Sequence, residues 1–301
     1  MTTSQFPARF YPLPHAQRHL AYSEVGDASS THVLLCLPGL LETRASFDAL
    51  LQSAQRVRGL RVISVEQCGR GDSSPLLRDE GYAMSVYLAD TLAFINQVVL
   101  RDGGPVTRLE VMGTSMGGIL AMYLAHELGS RVAGLFFNDI GLSLHWMSIY
   151  GLYDGMKVQG RLPEPEALAA QLNVSLGAVH AVQLPAHFDL PYRKDWKGMK
   201  FGHLLSHFEG PVRLIHGGAS GVCPPQQVRE MQQEFAQCEV FEVAGAAHPA
   251  PFTPAVCQFV LQALSQVPVD AAFTAAKQAR EDTERGFWPW IKRRYQGATG
   301  T

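Results

Sequence analysis

The alternation of apolar, strand-like runs with helix-like runs constrains the fold of this 301-residue chain more than any other feature. His32–Leu37 (HVLLCL) is a continuous apolar run, as expected of a strand buried on both faces, and Arg61–Val65 (RVISV) is another. Ser85–Leu100 carries apolar residues at helical spacing instead. Strands that alternate with helices usually form a mostly parallel sheet covered by helices. The sequence therefore predicts an α/β protein with a mostly parallel central sheet flanked by helices.

One interruption in this alternation divides the chain. The pattern runs from about residue 20, stops after Val132–Phe137 and resumes at Pro211–His216. Between them, residues 141–209 carry aromatic, Met, Pro and His residues in no simple period. Open α/β sheets bind ligands beyond the carboxyl ends of their strands, and an insertion is expected to cover that edge. We predict an α/β core of residues 1–140 and 210–265, a small cap insertion of 141–209, and a C-terminal extension of 266–301.

Composition limits the kinds of molecule that the protein is expected to bind and the cellular compartment in which it is expected to occur. The formal net charge is -2, and the first 265 residues contain no block of Lys and Arg large enough to bind nucleic acid. The five cysteines are odd in number and lack a C-x-x-C spacing, which is typical of a reducing compartment. Neither a secretory signal nor a stretch long enough to span a bilayer is visible. We expect a cytoplasmic protein that acts on a small molecule, without nucleic acid or an integral membrane segment.

The C-terminal extension has its own composition. Its segment 287–295 (FWPWIKRRY) combines aromatic residues with cations. An exposed run of this kind marks an interface with protein or with a membrane surface. We predict that residues 266–301 mediate a homodimer or another surface contact; a helix packed on its own domain is the alternative.

The strongest chemical signal is a G-x-S-x-G motif, Gly113–Gly117 (GTSMG), between a strand-like run and a helix-like run. A serine raised on a sharp strand-to-helix turn has strained backbone angles, and small neighbours prevent clashes with the strand and the helix. This predicts Ser115 as a nucleophile. The oxyanion that forms during acyl transfer needs two backbone donors. We predict the N–H of Met116, and the N–H of Leu40 in the loop after HVLLCL.

The base that activates the serine is predicted from position, because composition offers eleven histidines. His248 follows the last strand-like run. In enzymes with a G-x-S-x-G serine, the triad residues follow one another along the chain in the order serine, acid, histidine. His203 and His207 have the i,i+4 spacing of a metal-binding pair, but no HExxH motif or obvious third ligand accompanies them. We therefore predict His248 as the general base and expect neither a metal nor a cofactor.

Five motifs in chain order resemble those of α/β-hydrolases of the small-esterase and meta-cleavage-hydrolase group. They are CLPGL at 36–40, GRGDS at 69–73, GTSMGG at 113–118, NDIG at 138–141 and GAAH at 245–248. The resemblance covers residues 20–264 and implies the α/β-hydrolase fold with a serine hydrolase site. The chain departs from the family at Glu66, where Asp is usual, and at Cys68, where Arg is frequent. We expect both departures to affect packing more than chemistry.

The acid of the expected catalytic triad has an unusual position. Its commonest place in the family follows the strand here written Val212–His216, but Ser220 and Gly221 occupy both usual positions. Asp139 instead ends the strand after the nucleophile's helix. This resembles the haloalkane dehalogenases and their light-emitting relatives, in which the acid ends the same strand. We predict Asp139 as the acid; the alternatives are a Ser–His dyad without an acid and another carboxylate, such as that of Asp189 or Asp195.

These predictions converge on cleavage of a carboxylic ester of small to medium size through an acyl-enzyme. An apolar substrate pocket is predicted from five residues, which could equally form the cap's own core: Trp146, Met147, Tyr150, Tyr153 and Phe188. C–C bond hydrolysis, thioester cleavage and acyl transfer are alternatives on the same site. A non-catalytic small-molecule receptor is the alternative from a different class.

Overall fold

The structure is a computed structural model that describes residues 3–14, 16–76, 81–100, 106–155, 161, 163–181 and 197–265. The strands are β1 Arg9–Pro12, β2 His19–Val25, β3 His32–Leu37, β4 Leu60–Val65, β5 Arg108–Thr114, β6 Val132–Asn138, β7 Ser143–His145, β8 Gly198–Lys200, β9 Val212–Gly217 and β10 Cys238–Val243. The α-helices are α1 Asp48–Ala54, α2 Met84–Phe94, α3 Met116–Leu128, α4 Trp146–Gly155, α5 Pro165–Leu172, α6 Leu176–Ala181, α7 Pro225–Glu234 and α8 Pro254–Ser265.

A single eight-stranded sheet organises these elements. Its strand order is β1-β2-β4-β3-β5-β6-β9-β10. The β1/β2 and β2/β4 pairs are antiparallel, and every other neighbouring pair is parallel. The predicted fold class, a mostly parallel sheet flanked by helices, is therefore confirmed.

The apolar runs form buried strands because both faces of the sheet are covered. In β3, Val33 and Leu35 belong to the apolar core on one face, and the alternate residues Leu34 and Cys36 belong to the core on the other. Helices α2 and α3 contribute to the first core, and helices α1 and α8 to the second. Strands in this position have no solvated face, which is why their sequence is continuously apolar.

Two local features differ from the sequence-based expectations. The helix predicted over Ser85–Leu100 ends as an α-helix at Phe94 and continues as a π-helical turn, Ile95–Val99, in which the Leu100 N–H donates to the Ile95 carbonyl at 2.8 Å. Strand β1 at the sheet edge has no counterpart in the predicted pattern. Its short RFYP sequence is mostly exposed and lacks the apolar run that identified the buried strands.

The predicted cap region, residues 141–209, contains β7, α4, α5, α6 and β8. Strands β7 and β8 pair antiparallel in a separate two-stranded sheet. The division into core, cap and extension stays a prediction, and residues 266–301 lie outside the described residues. No helix in the described ranges is both long and apolar enough to cross a membrane.

Candidate active site

Ser115 lies on the sharp turn between β5 and α3. Its backbone angles are φ 50° and ψ -115°, a region that L-residues rarely adopt. A Cβ on Gly117 would lie 2.1 Å from the Leu37 carbonyl oxygen, and a Cβ on Gly113 would lie 2.2 Å from the Gly117 backbone. The two glycines of the motif therefore allow the turn to pack against both its own strand and the end of β3.

Three predicted side chains form a hydrogen-bonded chain at the carboxyl edge of the sheet. His248 Nε2 lies 2.8 Å from Ser115 Oγ, and His248 Nδ1 lies 2.9 Å from Asp139 Oδ2. The His248 side chain is 7% exposed and that of Asp139 is fully buried, whereas Ser115 is only partly buried. The arrangement can transfer a proton from the serine to the imidazole while the carboxylate orients the ring.

Asp139 is held rigidly on the turn that follows β6. Its φ is 59°, its N–H donates to the Ile215 carbonyl at 2.8 Å, and its Oδ1 accepts from the Gly217 N–H at 3.0 Å. The neighbouring Asn138 donates from Nδ2 to the Ala250 carbonyl at 3.0 Å and so ties the turn to the loop after His248. The second carboxylate oxygen, Oδ2, is consequently held in a fixed direction toward His248.

Neither of the two positions at which the family resemblance implies the acid, Ser220 and Gly221, carries a carboxylate. Ser220 Oγ accepts from the N–H groups of Val222 and Cys223 at 3.1 Å each, which closes the loop after β9. A Cβ on Gly221 would meet no atom within 4 Å. The alternative acids Asp189 and Asp195 lie outside the described residues.

The predicted oxyanion donors lie on two segments that are in close contact. Met116 is the first residue of α3 and is 2% exposed, and Leu40 lies in the loop after β3. The close approach of Gly117 to the Leu37 and Pro38 carbonyls brings the start of α3 against this loop. The helix N-terminus also favours negative charge at this place.

Sequence reasoning missed Glu42, which lies just beyond Leu40. Its Oε2 accepts from the Gly39 N–H at 2.7 Å. Burial raises the pKa of the Glu42 carboxyl, while the Gly39 N–H, the charge of His248 and the Ser46 hydroxyl each lower it. A carboxylate directly after the apolar run LPGLL was the available signal, and its hydrogen bond to the Gly39 N–H stabilises the loop.

Glu66, at which the chain departs from the family resemblance, takes part in an ionic network with the buried Arg44 and the exposed Asp72. Arg44 contacts Glu66 Oε2 and Asp72 Oδ2, each at 2.8 Å. Glu66 also accepts from the N–H of Asp72 at 2.7 Å. Its longer side chain thus holds the turn after β4 together, in keeping with the expected effect on packing.

The predicted pocket residues have different environments. Trp146 is partly buried and packs against the apolar core, whereas Met147 is 74% exposed and Tyr150 is 59% exposed. Tyr153 belongs to the same helix, α4, and Phe188 lies outside the described residues. Their role as a pocket lining stays a prediction. His203 lies on a 3₁₀ turn that ends at Leu205, so His203 and His207 do not share a helix face as their spacing suggested.

Comparisons with known proteins agree with this architecture. Residues 32–160 match the family model described as the alpha/beta hydrolase fold. A 3-hydroxybutyrate-oligomer hydrolase of Cupriavidus necator is 26% identical over 271 residues, which cover 79% of this chain and 90% of the relative. The sn-1-specific diacylglycerol lipase ABHD11 of Mus musculus is 25% identical over 288 residues, 86% of this chain and 89% of the relative.

Solved structures show the same fold at lower identity. An alpha/beta hydrolase from Novosphingobium aromaticivorans has a TM-score of 0.66 at 21% identity and covers 88% of this chain and 100% of its own. A haloalkane dehalogenase loop variant from Bradyrhizobium elkanii has a TM-score of 0.67 at 15% identity, with 89% and 98% covered. The fold and the matched family place the protein in the α/β-hydrolase superfamily, as the ordered motifs predicted. It is a hydrolase of that fold, and its distant homologues are ester hydrolases.

Proposed function

We propose that the protein hydrolyses carboxylic esters through an acyl-enzyme on Ser115. One observation carries the proposal: Ser115 Oγ, the His248 imidazole and the Asp139 carboxylate form a continuous hydrogen-bonded chain, with contacts of 2.8 and 2.9 Å. A serine at this place is a weak nucleophile until a base accepts its proton. The buried carboxylate keeps the imidazole in the tautomer that can do so.

In acylation, Ser115 Oγ attacks the ester carbonyl carbon and its proton passes to His248 Nε2. The carbonyl oxygen becomes an oxyanion that accepts hydrogen bonds from the N–H groups of Leu40 and Met116. The C–O bond to the alcohol then breaks, and His248 returns the proton to the departing alkoxide. The products of this half-reaction are the free alcohol and an acyl ester of Ser115.

In deacylation, water takes the place of the alcohol. His248 accepts a proton from the water as its oxygen attacks the acyl carbon, and the same two N–H groups bind the second oxyanion. Collapse of this intermediate breaks the bond to Ser115 Oγ, which regains its proton from His248. The carboxylic acid leaves, and no external electron donor or acceptor is required.

The substrate class is proposed from the relatives' chemistry. The two relatives are named for cleavage of 3-hydroxybutyrate oligomers and of diacylglycerol, and the bonds cleaved in both are carboxylic esters. We propose an ester of small to medium size, and esters of short hydroxy acids are the first to test. The contacts of the triad support ester hydrolysis in general. The preferred acyl chain has to be measured with a series of ester substrates.

Replacement of the nucleophile tests the proposal directly. Ser115→Ala should lower kcat by at least ~10⁴-fold with the fold intact, as loss of the nucleophile does in other triads. The measurement uses p-nitrophenyl esters of graded chain length and oligomers of 3-hydroxybutyrate, with thermal unfolding as the control for folding. Retained turnover in pure protein would assign the nucleophile elsewhere.

Two further readouts separate the alternatives. Preferential turnover of a ring-cleavage dienoate over all esters would favour C–C bond hydrolysis on the same site. A fluorophosphonate should label Ser115 in the parent protein. Failure of that label, together with a lack of hydrolysis, would favour a non-catalytic receptor.

A further inference from the structure

Arg70, on the turn after β4, is a fully buried cation. Its guanidinium lies 4.9 Å from the ring centre of Tyr87 and 5.6 Å from that of Tyr82. Within the described ranges, no carboxylate lies within ion-pair distance of this guanidinium. Burial of a charge without a counter-ion has a large desolvation free energy. We therefore expect the Arg70 guanidinium to make hydrogen bonds that serve a function.

The guanidinium donates its hydrogen bonds to the loop that carries the proposed oxyanion donor. Nε and Nη2 both donate to the Leu40 carbonyl oxygen, at 3.0 and 2.7 Å. Nη1 donates to the Cys68 carbonyl and to the Tyr87 hydroxyl, each at 2.8 Å. Two bonds from one rigid group fix the direction of the Leu40 carbonyl, and they restrain the backbone of the residue whose N–H is the proposed oxyanion donor.

The backbone of the same turn binds residues 173–175 of the predicted cap region, which is called the inserted segment below. Arg70 forms an isolated antiparallel bridge with Val174. The Gly71 N–H donates to the Asn173 carbonyl at 2.8 Å, and the Ser175 N–H donates to the Gly69 carbonyl at 2.7 Å. The turn therefore contacts two parts of the molecule. The Arg70 side chain contacts the loop after β3 that contains Leu40, which is called the oxyanion loop below, and the backbone of residues 69–71 contacts the inserted segment.

An apolar cluster joins the same two parts. Leu41 packs with Ala169 of α5 and Val179 of α6 in one buried cluster, and Leu40 packs against it. Any displacement of α5 and α6 would disturb the packing of the oxyanion loop, because close-packed interiors transmit strain. Arg70 therefore hydrogen-bonds to Leu40, and the apolar cluster packs against Leu40 and its neighbour Leu41.

We propose that Arg70 is a positioning residue that sets the oxyanion loop at Leu40 and couples this loop to the inserted segment around Val174. The inference rests on the proposed function, since it assumes an oxyanion at the Leu40 N–H. Arg70 acts through Leu40 and is not assigned a contact with substrate. Its loss should affect the transition state more than substrate binding, because only the transition state carries the oxyanion.

The test compares Arg70→Met and Arg70→Lys with a matched control, Arg61→Met. Arg61 is also buried, at 1% exposure, but it pairs with Glu24 at 2.8 Å and contacts the Val98 carbonyl. All three variants remove or shorten a buried arginine, so general destabilisation is shared. The measurements are kcat, KM, the melting temperature, and the affinity of a trifluoromethyl ketone that adds to the serine and generates an oxyanion.

Arg70→Met should lower kcat and the affinity for the ketone by about 10- to 100-fold, less than or comparable to direct loss of one oxyanion donor, with KM changed by less than about threefold. Arg70→Lys should recover part of both, because one ammonium replaces only part of the rigid fork. Arg61→Met should keep kcat in the fraction that remains folded. An Arg70→Met protein with the kcat of the control, or a rise in KM alone, would overturn the proposal.

If Arg70→Met fails to fold, the kcat and the ketone affinity of Arg70→Lys test the proposal instead. Parental kcat and ketone affinity in folded Arg70→Lys would also overturn the proposal, while a loss of both supports it. Ser115→Ala is assayed in parallel. Turnover that survives in Ser115→Ala refutes the proposed function itself, whereas an inactive Ser115→Ala with unaffected Arg70 variants refutes only the role of Arg70.

Discussion

At the scale of the residue, both oxygens of the Asp139 carboxylate are engaged. Oδ1 is held by the Gly217 N–H and Oδ2 by His248, and the residue adopts a φ of 59° that favours glycine. A non-glycine residue in this region is strained, and such strain is common where a side chain must point in one direction. The geometry suits an acid that orients the histidine from β6 rather than from the loop after β9.

Asp139→Asn should keep this geometry and stabilise the wrong tautomer of His248. We expect a loss of kcat of up to ~10⁴-fold near neutral pH. Adding Gly221→Asp to this variant should recover part of the activity, because the family resemblance implies Gly221 as one of the two usual positions of the acid and a Cβ there meets no atom within 4 Å. In the parent, Gly221→Asp should add little, since two carboxylates at one imidazole repel each other.

The measurement is kcat with the melting temperature as control. A loss below about tenfold in Asp139→Asn, roughly 1.4 kcal/mol, would reduce Asp139 to a turn residue. If the variant unfolds instead, Asp189 and Asp195 become the acids to replace next.

At the scale of the element, the site depends on how closely the start of α3 approaches the end of β3. Gly117 lies at this contact, and its missing side chain allows the approach. The carboxyl ends of β3, β5, β6 and β10 bring the loop of Leu40, Ser115, Asp139 and His248 to one edge of the sheet. This is the edge at which open α/β sheets bind their ligands.

Gly117→Ala should separate α3 from this edge. The new Cβ would lie 2.1 Å from the Leu37 carbonyl oxygen, so backbone must move on one side. We expect a loss of kcat of at least about tenfold together with a lower melting temperature, as overpacking typically costs about 1–3 kcal/mol. Gly151→Ala is the matched control, because a Cβ there meets no atom within 4 Å. Equal behaviour of the two variants would show that the close approach is not required.

At the scale of the whole molecule, two arginines of the central sheet anchor the last described helix, α8. Arg108 Nη1 donates to the Leu264 carbonyl at 3.1 Å, and Arg213 Nη2 donates to the Ala263 carbonyl at 3.5 Å. Both arginines also contact the buried carboxylate of Glu110. Cations at the end of a helix bind its last carbonyl groups favourably, so α8 has a defined end at the base of the sheet.

A chain that ends at Gln266 should therefore keep kcat and its melting temperature. If residues 266–301 mediate association, the shortened chain should differ in sedimentation coefficient or in binding to liposomes. Loss of folding would instead show that the extension packs on its own domain.

Local periodicity determined much of the fold. β3 has the bounds that the apolar run His32–Leu37 predicted, and the mostly parallel sheet followed from the alternation of elements. These features depend on neighbours a few residues apart, which a sequence displays directly. The sharp turn at Ser115 was equally visible, since its glycines are adjacent in the chain.

The sequence by itself therefore determined the class of fold, the ordered motifs and the residues to consider. Only the tertiary structure decided which of them meet: Asp139 and His248 are 109 residues apart along the chain, and Arg70 reaches Leu40 across 30. It also decided that Glu42 binds the Gly39 N–H and that Arg70 is buried without a carboxylate partner in the described ranges. Such contacts depend on the direction and burial of side chains, which packing sets and no local pattern records.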